Sequence, residues 1–370
     1  MPFPPLVAPV DALGEHERSR TARHRALAAL GDEGQRRLAA AHVAIVGAGG
    51  LGSPAVLALA AAGVGTLTVV DDDVVELSNL QRQVIHRVAD VGAPKTGSAV
   101  RVAAELAPDV RVCAVRERLT PVNAARLLAG ADVVLDGSDL FDTRGVVAAA
   151  CEASGVPLVW GTVQETDAQV TVFWSRPPGG VEPVVLDDLF PSASVGEPPS
   201  CADVGVLGAL CLQVGSIMAA QAIALVAGIG EPLFGRLLLI DALRGRHREI
   251  PLRPRAHTGP PPAAAAPRLV SVDEAVAALA GSTPPAVLDV RETHEIAGGT
   301  LPHAHHVPLA EVLAAPGAVA RALAAEDVLV VCQAGGRARA AAAALAPHAR
   351  AAVLDGGYAA WDAAAKATAG

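Results

Sequence analysis

Short runs of apolar residues alternate with helix-compatible segments from residue 42 onward. The apolar runs predict β-strands at His42–Val46, Thr66–Asp71, Val110–Val115, Val133–Asp136, Pro157–Thr162, Gln169–Trp174 and Leu237–Asp241. Helices are predicted at Pro54–Ala62, at Lys95–Leu106 and from about Gly205 to Ala227. Because strands and helices alternate, we expect an α/β fold whose mostly parallel, Rossmann-like sheet is covered by helices.

Changes of composition divide the chain into four parts. Residues 1–14 form a tail, and residues 15–252 carry the alternating pattern after a charged, helix-compatible lead-in. Residues 253–267, rich in Pro and Ala, are typical of a semi-extended linker. Residues 268–370 carry a second, smaller α/β pattern, with strands predicted at Ala286–Val290 and Val328–Cys332. Within the first pattern, the stretch Pro177–Ser200 is rich in Pro, Gly and Ser, which predicts a mobile loop.

Charge and cysteine content disfavour several classes of protein. The 370 residues have a net charge of −9 and no basic block, which argues against a nucleic-acid-binding scaffold. The five cysteines form no CxxC pair, so neither a disulfide framework nor a cysteine-based zinc site is indicated. The N-terminus lacks the pattern of a signal peptide, and no uninterrupted apolar stretch approaches the roughly 18 residues of a membrane span. We therefore expect a cytoplasmic protein without a membrane segment.

A glycine-rich turn joins the first predicted strand to the first predicted helix. Its sequence is Gly47-Ala48-Gly49-Gly50-Leu51-Gly52, and glycines there let backbone N–H groups and the helix dipole face phosphate oxygens. Asp71 ends the next strand, where a carboxylate can accept hydrogen bonds from ribose hydroxyls. Taken alone, these features fit any NAD-binding domain.

Polar and cationic groups that a redox dinucleotide site does not need follow the second strand. Asn79, Arg82 and Lys95 are expected at the carboxyl edge of the sheet, where ligands of open α/β folds bind. Cations there neutralise charge that develops on transferring phosphates, which favours adenylation over hydride transfer. Of the 29 basic residues only Lys95 and Lys366 are lysine, so a lysine retained beside this motif indicates a chemical role. Asp139 follows another predicted strand and would hold Mg²⁺ against the phosphates.

A second reactive group is predicted in the C-terminal part. Cys332 ends the strand Val328–Cys332 and begins Cys332-Gln333-Ala334-Gly335-Gly336-Arg337, a Gly-rich loop that opens an Ala-rich helix. Converging N–H groups, the helix N-terminus and the Arg337 charge would favour a thiolate or persulfide on Cys332. The sequence therefore predicts sulfur chemistry at this loop.

Residues 15–250 resemble the adenylyltransferases of the ThiF and MoeB type, which are relatives of ubiquitin-activating enzymes. The resemblance rests on Arg20-Thr21-Ala22-Arg23-His24, the glycine turn, Val70-Asp71-Asp72-Asp73, Ser78-Asn79-Leu80-Gln81-Arg82-Gln83, Gly92-Ala93-Pro94-Lys95, Asp139 and the stretch from Ser200 to Gly208. It implies ATP-dependent adenylation of the C-terminal glycine of a ubiquitin-like sulfur-carrier protein that ends in Gly-Gly, with release of pyrophosphate.

The resemblance also implies roles for single residues. Asp71 would hold the ribose, Asn79, Arg82 and Lys95 the phosphates and Asp139 the metal, while Arg23 would act in a partner subunit's site, which implies a homodimer. Nucleotide contacts are expected at Gly47, Gly49, Gly50, Gly52, Asp71, Asp73, Ser78, Asn79, Leu80, Gln81, Arg82, Lys95, Asp139 and Leu140. The expected catalytic set is Arg23, Arg82, Lys95, Asp139, Cys201 and Cys332.

The chain departs from the family pattern at three places. The family carries two CxxC pairs that bind a structural zinc, and their absence here predicts no zinc. Leu140 replaces an asparagine near the nucleotide, and Thr21 replaces a tyrosine. Cys201 lies in a loop whose cysteine takes part in transient covalent chemistry with the carrier in related proteins. An unreactive loop thiol is the equal alternative for Cys201.

Residues 268–366 resemble a rhodanese domain. The segments that carry this resemblance are Leu288–Glu295, the Cys332 loop and Leu354–Trp361. By this resemblance Cys332 accepts sulfane sulfur from a persulfide donor and passes it on. We therefore predict a two-step enzyme that first adenylates the carrier and then converts its terminus to a thiocarboxylate. The alternatives are an NAD-dependent oxidoreductase fused to a sulfurtransferase, and a degenerate scaffold that binds a carrier without turnover.

Overall fold

The computed structural model describes residues 3–138, 141–191, 205–254, 267–281, 283–293, 295–333 and 335–368, with only the backbone at 141, 142, 297, 336, 367 and 368. The chain divides into two compact units, one of residues 1–189 and 199–255 and the other of residues 190–198 and 256–370. Each unit has its own sheet. The exact boundaries of the sequence-based domains, 15–252 and 268–370, stay predictions.

The first unit is built on a sheet of eight strands. These are β1 (His42–Val46), β2 (Thr66–Val70), β3 (Arg111–Val115), β4 (Val133–Asp136), β5 (Leu158–Gln164), β6 (Asp167–Phe173), β7 (Arg236–Asp241) and β8 (Arg246–Pro251). Their order is β3-β2-β1-β4-β5-β6-β7-β8, parallel from β3 to β5 and antiparallel beyond. The predicted mostly parallel fold is thereby confirmed. Strand β8 is new, because its charged and exposed residues form no apolar run.

The helices of the first unit are α1 (Glu15–Arg20), α2 (Ala22–Arg25), α3 (Gly31–Ala40), α4 (Gly52–Ala62), α5 (Lys95–Leu106), α6 (Ala124–Leu127), α7 (Phe141–Ser154), α8 (Leu186–Leu189) and α9 (Gly208–Ala227). The predicted helices correspond to α4, α5 and α9, with ends shifted by at most a few residues, whereas α6 and α7 were not predicted. Helix α8 and a 3₁₀ turn at Pro178–Gly180 lie within the stretch expected to be a loop. The described part of that stretch is therefore more structured than its composition predicts.

Helix α9 fills the middle of the first core. It packs against α4 and β5, and Leu210, Val214, Met218 and Leu225 are almost fully buried. By length and composition the helix would suit a membrane span, but half of its apolar stretch is buried inside the unit. Burial of this kind is typical of a core helix, which explains why α9 is apolar on most of its faces.

The N-terminal segment, expected to be a tail, packs against the first unit. Phe3 meets the rings of Trp174 and Phe234 edge-on, with centroids 5.2 and 5.3 Å away. The Leu6 N–H donates to the Leu225 carbonyl of α9 at 3.4 Å. Edge-to-face pairs of this kind stabilise by about 0.5–1.5 kcal/mol each. An isolated Phe among prolines gives no periodic signal, so sequence patterning could not predict this docking.

The second unit has a five-stranded, all-parallel sheet. Its strands are β9 (Arg268–Val270), β10 (Ala286–Asp289), β11 (His305–His306), β12 (Asp327–Val331) and β13 (Arg350–Leu354), in the order β11-β10-β12-β13-β9. Its helices are α10 (Val272–Leu279), α11 (Leu309–Ala314), α12 (Pro316–Leu323), α13 (Gly336–Leu345) and α14 (Gly357–Thr368). The two predicted strands, β10 and β12, are neighbours in the interior of this sheet and form continuous apolar runs, whereas β13, which is also interior, was not predicted.

The turn between β1 and α4 is closed by backbone contacts. Gly47 has a left-handed φ of +86°, and its N–H donates to the Val70 carbonyl of β2 at 2.8 Å. A Cβ at Gly52 would overlap the Gly47 carbonyl oxygen, so the chain can fold back on itself only with glycine there. This turn joins β1 to α4 at the carboxyl edge of the sheet.

We expect Gly52→Ala to lower the stability of the full chain by about 1–3 kcal/mol, because the new methyl group must displace backbone. Gly97→Ala is the matched control, since a Cβ at Gly97 in α5 meets nothing within 4 Å. This control should be neutral or stabilising by up to about 1 kcal/mol. Calorimetric unfolding of both variants checks this, and equal melting temperatures would contradict the steric argument.

Candidate functional site

A cleft opens where the parallel strands of the first sheet end. Its floor is formed by the strand ends Val46 and Val70 and the glycines Gly47, Gly49 and Gly50. The remaining lining residues are Leu51, Asp71, Asp72, Asp73, Arg82, Gln83, Lys95, Glu117, Arg118, Leu119, Gly137, Ser138, Thr143, Arg144, Thr162, Val163, Val206 and Cys211. The cleft thus occupies the carboxyl edge of the sheet, where open α/β folds bind their ligands.

The Asp71 carboxylate ties the end of β2 to the glycine turn. Its Oδ2 accepts the Ala48 N–H at 2.7 Å, and its Oδ1 accepts the Asp73 N–H at 2.9 Å. Burial raises the pKa of the Asp71 carboxyl, against the opposing effects of the Ala48 N–H and the Lys95 charge. Asp71 therefore shapes the turn in addition to facing the cleft.

The two predicted cations, Lys95 and Arg82, both line the cleft. Lys95 is only 7% exposed and its Nζ lies 2.7 Å from Oδ2 of Asp73, whose side chain is largely exposed. Arg82 is half-buried, and its Nη1 donates to the Ser78 carbonyl at 3.2 Å. Lys95 begins α5, and that helix start fixes the lysine stem while the ammonium group faces the cleft.

Other residues expected at the nucleotide have local roles here. Ser78, Asn79, Leu80 and Gln81 do not contribute to the lining of the cleft. Asn79 is buried, and its Oδ1 accepts the Glu76 N–H at 3.1 Å in a capping box around the 3₁₀ turn Leu77–Asn79. Gly52 begins α4, and Arg23 is exposed on α2. The nucleotide contacts expected at Ser78, Asn79, Leu80, Gln81 and Gly52 stay predictions.

Three predicted residues, Asp139, Leu140 and Cys201, lie outside the described residues. The role of Asp139 in holding Mg²⁺ is therefore untested. Within the described part of the chain, Asp71, Asp72 and Asp73 offer carboxylate oxygens within 4.8 Å of one another. Carboxylate oxygens are suitable Mg²⁺ ligands, so the edge of the cleft carries a fitting donor set.

Several lining residues have no counterpart in the sequence-based site. Gln83 belongs to the recognised motif, but was not selected as a contact. Glu117, Arg118 and Leu119 follow β3, and Thr162 lies in β5. Their common signal is position after or near the end of a parallel strand, which could have identified the β3 loop. Cys211 is buried in α9 and gives no such signal.

The second unit places Cys332 at the end of β12. Cys332 is fully buried, and its Sγ accepts the Gly335 N–H at 3.0 Å. Its carbonyl accepts the Tyr358 N–H at 2.8 Å, which joins the loop to the start of α14. Gly335 is followed by α13, so the sulfur lies close to a helix N-terminus. An N–H donor and a helix N-terminus together favour an anionic sulfur.

Two arginines near the loop are held by carboxylates. Arg337 makes a two-pronged ion pair with Glu295, at 2.6 and 2.7 Å. Arg291 and Asp289 are each about 1% exposed and lie 2.6 Å apart, and Thr300 donates to the same carboxylate at 2.8 Å. The Arg291 guanidinium also stacks 4.0 Å over the Tyr358 ring. The Asp289 pair therefore anchors the end of β10 to α14.

Comparison with known proteins identifies the class to which this architecture belongs. Residues 21–260 match the model of the ThiF family, and residues 271–364 match the rhodanese-like domain. The chain therefore belongs to the ThiF family and carries a rhodanese-like domain in addition. Both resemblances found in the sequence are thereby confirmed. The ThiF family implies the use of ATP.

The chain is similar to curated enzymes whose names combine an adenylyltransferase and a sulfurtransferase. The probable adenylyltransferase/sulfurtransferase MoeZ of Mycobacterium tuberculosis is 48% identical over 252 residues, which cover 68% of this chain and 64% of MoeZ. The adenylyltransferase and sulfurtransferase MOCS3 of Bos taurus is 39% identical over 338 residues, covering 84% and 73%. The chain thus spans under two thirds of the length of MoeZ.

Among solved structures, E. coli MccB with AMPCPP and MccA matches with a TM-score of 0.57 at 19% identity, over 67% of this chain and 74% of that chain. PaaA matches with a TM-score of 0.53 at 22% identity, over 66% and 76%. At these identities the likeness concerns the fold.

We expect Asp289→Asn to destabilise the second unit by about 3–5 kcal/mol at neutral pH, because it leaves the buried Arg291 charge uncompensated. Burial alone would raise the pKa of Asp289, but hydrogen bonds from Arg291 and Thr300 hold it below its ordinary value. A lowered folded-state pKa stabilises above the unfolded pKa of about 3.9, and this contribution is lost as pH falls through the folded value.

Hydrogen–deuterium exchange of the β10 and β12 amides in the full chain measures this effect. The difference between the wild type and Asp289→Asn should shrink as the pH falls below about 4. Asp327→Asn is the matched control, since Asp327 pairs with Arg350 at the surface and its loss should change little. Equal exchange in the two variants at neutral pH would contradict the anchoring role of Asp289.

Proposed function

We propose that this protein adenylates the C-terminal glycine of a ubiquitin-like sulfur-carrier protein and then transfers sulfur to it from Cys332. The observation that carries the proposal is the presence of two reactive groups on one chain. The Lys95 side chain is buried and lines the cleft together with the glycine turn. Cys332 lies close to a helix N-terminus in a rhodanese-like domain. The names of MoeZ and MOCS3 combine the same two activities, which supports the proposal.

In the first step, a carboxylate oxygen of the carrier attacks the α-phosphorus of ATP and pyrophosphate leaves. The N–H groups of the glycine turn and the start of α4 would hold phosphate oxygens. Lys95 and Arg82 would neutralise the charge that grows on the leaving pyrophosphate. Asp139, together with carboxylates of Asp71–Asp73, would hold the Mg²⁺ that this chemistry uses. We infer no structural zinc.

In the second step, the outer sulfur of a Cys332 persulfide attacks the acyl adenylate. The new carbon–sulfur bond displaces AMP and leaves the carrier joined to Cys332 through a disulfide. A second thiol must reduce that disulfide to release the thiocarboxylate, and Cys201 is the candidate on this chain. We infer that the persulfide donor is a separate molecule and that this protein is cytoplasmic.

We expect pyrophosphate release to require a Gly-Gly-ended carrier, and Lys95→Ala to slow it by about 100-fold or more. Cys332→Ala should release pyrophosphate normally but form no thiocarboxylate, because the two steps use different groups. Cys113→Ala, which changes a half-buried cysteine of β3, is the matched control and should keep both steps. A phosphate assay coupled to inorganic pyrophosphatase and mass spectrometry of the carrier, with thiosulfate as sulfur source, measure the two steps.

Three results would contradict the proposal. Release that persists at the wild-type rate in Lys95→Ala would refute the first step, and thiocarboxylate made by Cys332→Ala would refute the second. Greater thermal stabilisation by NAD than by ATP with Mg²⁺ would favour an oxidoreductase instead. Carrier binding without any turnover would favour a scaffold.

We further propose that Arg23 acts in the site of a partner subunit in a homodimer. Its exposure on α2, away from the cleft lining, supports a role in another copy. Arg23→Ala and Lys95→Ala should each be inactive alone. Mixing them after dissociation should restore about a quarter of the wild-type activity, since half of the dimers are mixed and each carries one intact site. No recovery in verified mixed dimers would refute the role of Arg23.

A further inference from the structure

Gln83 presents a buried amide to the floor of the cleft. The side chain is 4% exposed and belongs to the cleft lining. Its Nε2 lies 3.6 Å from the position that a Cβ on Gly49 would occupy, and it is the nearest group to that position. Gly49 is the second glycine of the turn, where the backbone of this motif comes closest to phosphate. An amide beside Gly49 is therefore within reach of the same phosphate oxygens.

The orientation of this amide is set by His86, three residues further along the chain. His86 Nε2 and Gln83 Oε1 are 3.1 Å apart, and the His86 N–H donates to the Gln83 carbonyl at 3.2 Å. When Nε2 carries the proton, it donates to Oε1, and the Gln83 NH₂ group faces Gly49. The reverse amide orientation would direct a carbonyl oxygen towards the phosphates, which is unfavourable.

The surroundings of His86 support this tautomer. His86 is 7% exposed, and its Nδ1 has no hydrogen-bond partner among the described residues, as suits an unprotonated nitrogen. Burial and the charges of Lys95 and Arg101 lower the pKa of His86, while Asp90 and the Ala48 carbonyl act against them. That carbonyl also accepts the Ser53 hydroxyl at 2.9 Å. The imidazole is therefore neutral at physiological pH.

We propose that Gln83 Nε2 is a phosphate-contacting donor of the nucleotide site, and that His86 is the positioning residue that fixes its amide. The inference rests on the proposed ATP-dependent function and extends it by two residues. Their contact is preorganised, because both side chains are buried before any ligand binds. A buried donor held in place loses little conformational entropy on binding phosphate.

The test compares the binding of ATP and adenosine to full-length variants by calorimetry. Gln83→Leu should raise the Kd for ATP by about tenfold, the loss expected for one hydrogen bond to a charged group. The same variant should leave the Kd for adenosine within about twofold, because adenosine has no phosphate. Gln213→Leu, which changes an exposed glutamine of α9, is the matched control and should alter neither affinity.

A double-mutant cycle separates positioning from packing. His86→Leu should weaken ATP binding with the same selectivity, and His86→Gln should recover most of the loss because its amide NH₂ replaces Nε2–H. The double variant Gln83→Leu/His86→Leu should bind ATP no more weakly than Gln83→Leu, because His86 acts only through Gln83. Gln83→Glu, of equal size, should bind ATP more weakly than Gln83→Leu and decides the matter if His86→Leu fails to fold.

Equal weakening of ATP and adenosine, additive losses in the double variant, or unchanged ATP affinity in Gln83→Leu would each overturn the inference. Wild-type protein that binds no ATP would overturn the proposed function as well. Wild-type protein that binds ATP while Gln83→Leu binds it equally well would overturn only the role of Gln83. The two failures are therefore distinguishable.

Discussion

The close approach of Gly52 to the Gly47 carbonyl is the constraint on which the first unit depends. It allows the chain to leave β1, reverse over its own backbone and enter α4 within a few residues. Asp71 braces the turn from β2 by accepting the Ala48 N–H. Gln83 approaches it from the other side, next to Gly49. The glycine turn is therefore a junction of three segments, which explains why so many polar groups converge there.

Three buried cations near the two functional regions are paired with carboxylates. Lys95 pairs with Asp73, Arg337 with Glu295 and Arg291 with Asp289. The pairs differ in what the carboxylate can do. The Asp289 carboxylate is buried and stays paired with Arg291. The Asp73 side chain is largely exposed and can rearrange in water at low cost in free energy. A largely enclosed ammonium group with an exposed partner suits a site that must accept phosphate.

Much of this fold follows from the sequence because the central strands are continuous apolar runs. The strands β1 and β4 and the helix α5 have the predicted ends, and the remaining predicted elements differ by a few residues. Strand β8 could not be predicted, since its residues are charged and its pairing with β7 lies outside any local pattern. The strands β9, β11 and β13 of the second sheet were not predicted either.

The site was predictable where chemistry and strand ends coincide, as at Asp71, Arg82 and Lys95, which the structure brings to one cleft. Contacts that depend on tertiary packing were not. Asn79 and Gln83 both carry an amide in the same motif, but Asn79 Oδ1 accepts the Glu76 N–H of a local turn whereas the Gln83 side chain lines the cleft, a difference that only the three-dimensional structure shows. Cys211 reaches the cleft because α9 crosses beneath the glycine turn, a crossing without any sequence signal.

The complete burial of Cys332 has a kinetic consequence. Peroxide, glutathione or a protein thiol can meet the sulfur only when the structure around it opens locally, so opening precedes every reaction of this thiol. When closing is faster than reaction, the rate of its oxidation is the intrinsic reactivity of the sulfur multiplied by the open fraction. An enclosed sulfur is thereby shielded from small oxidants for most of the time.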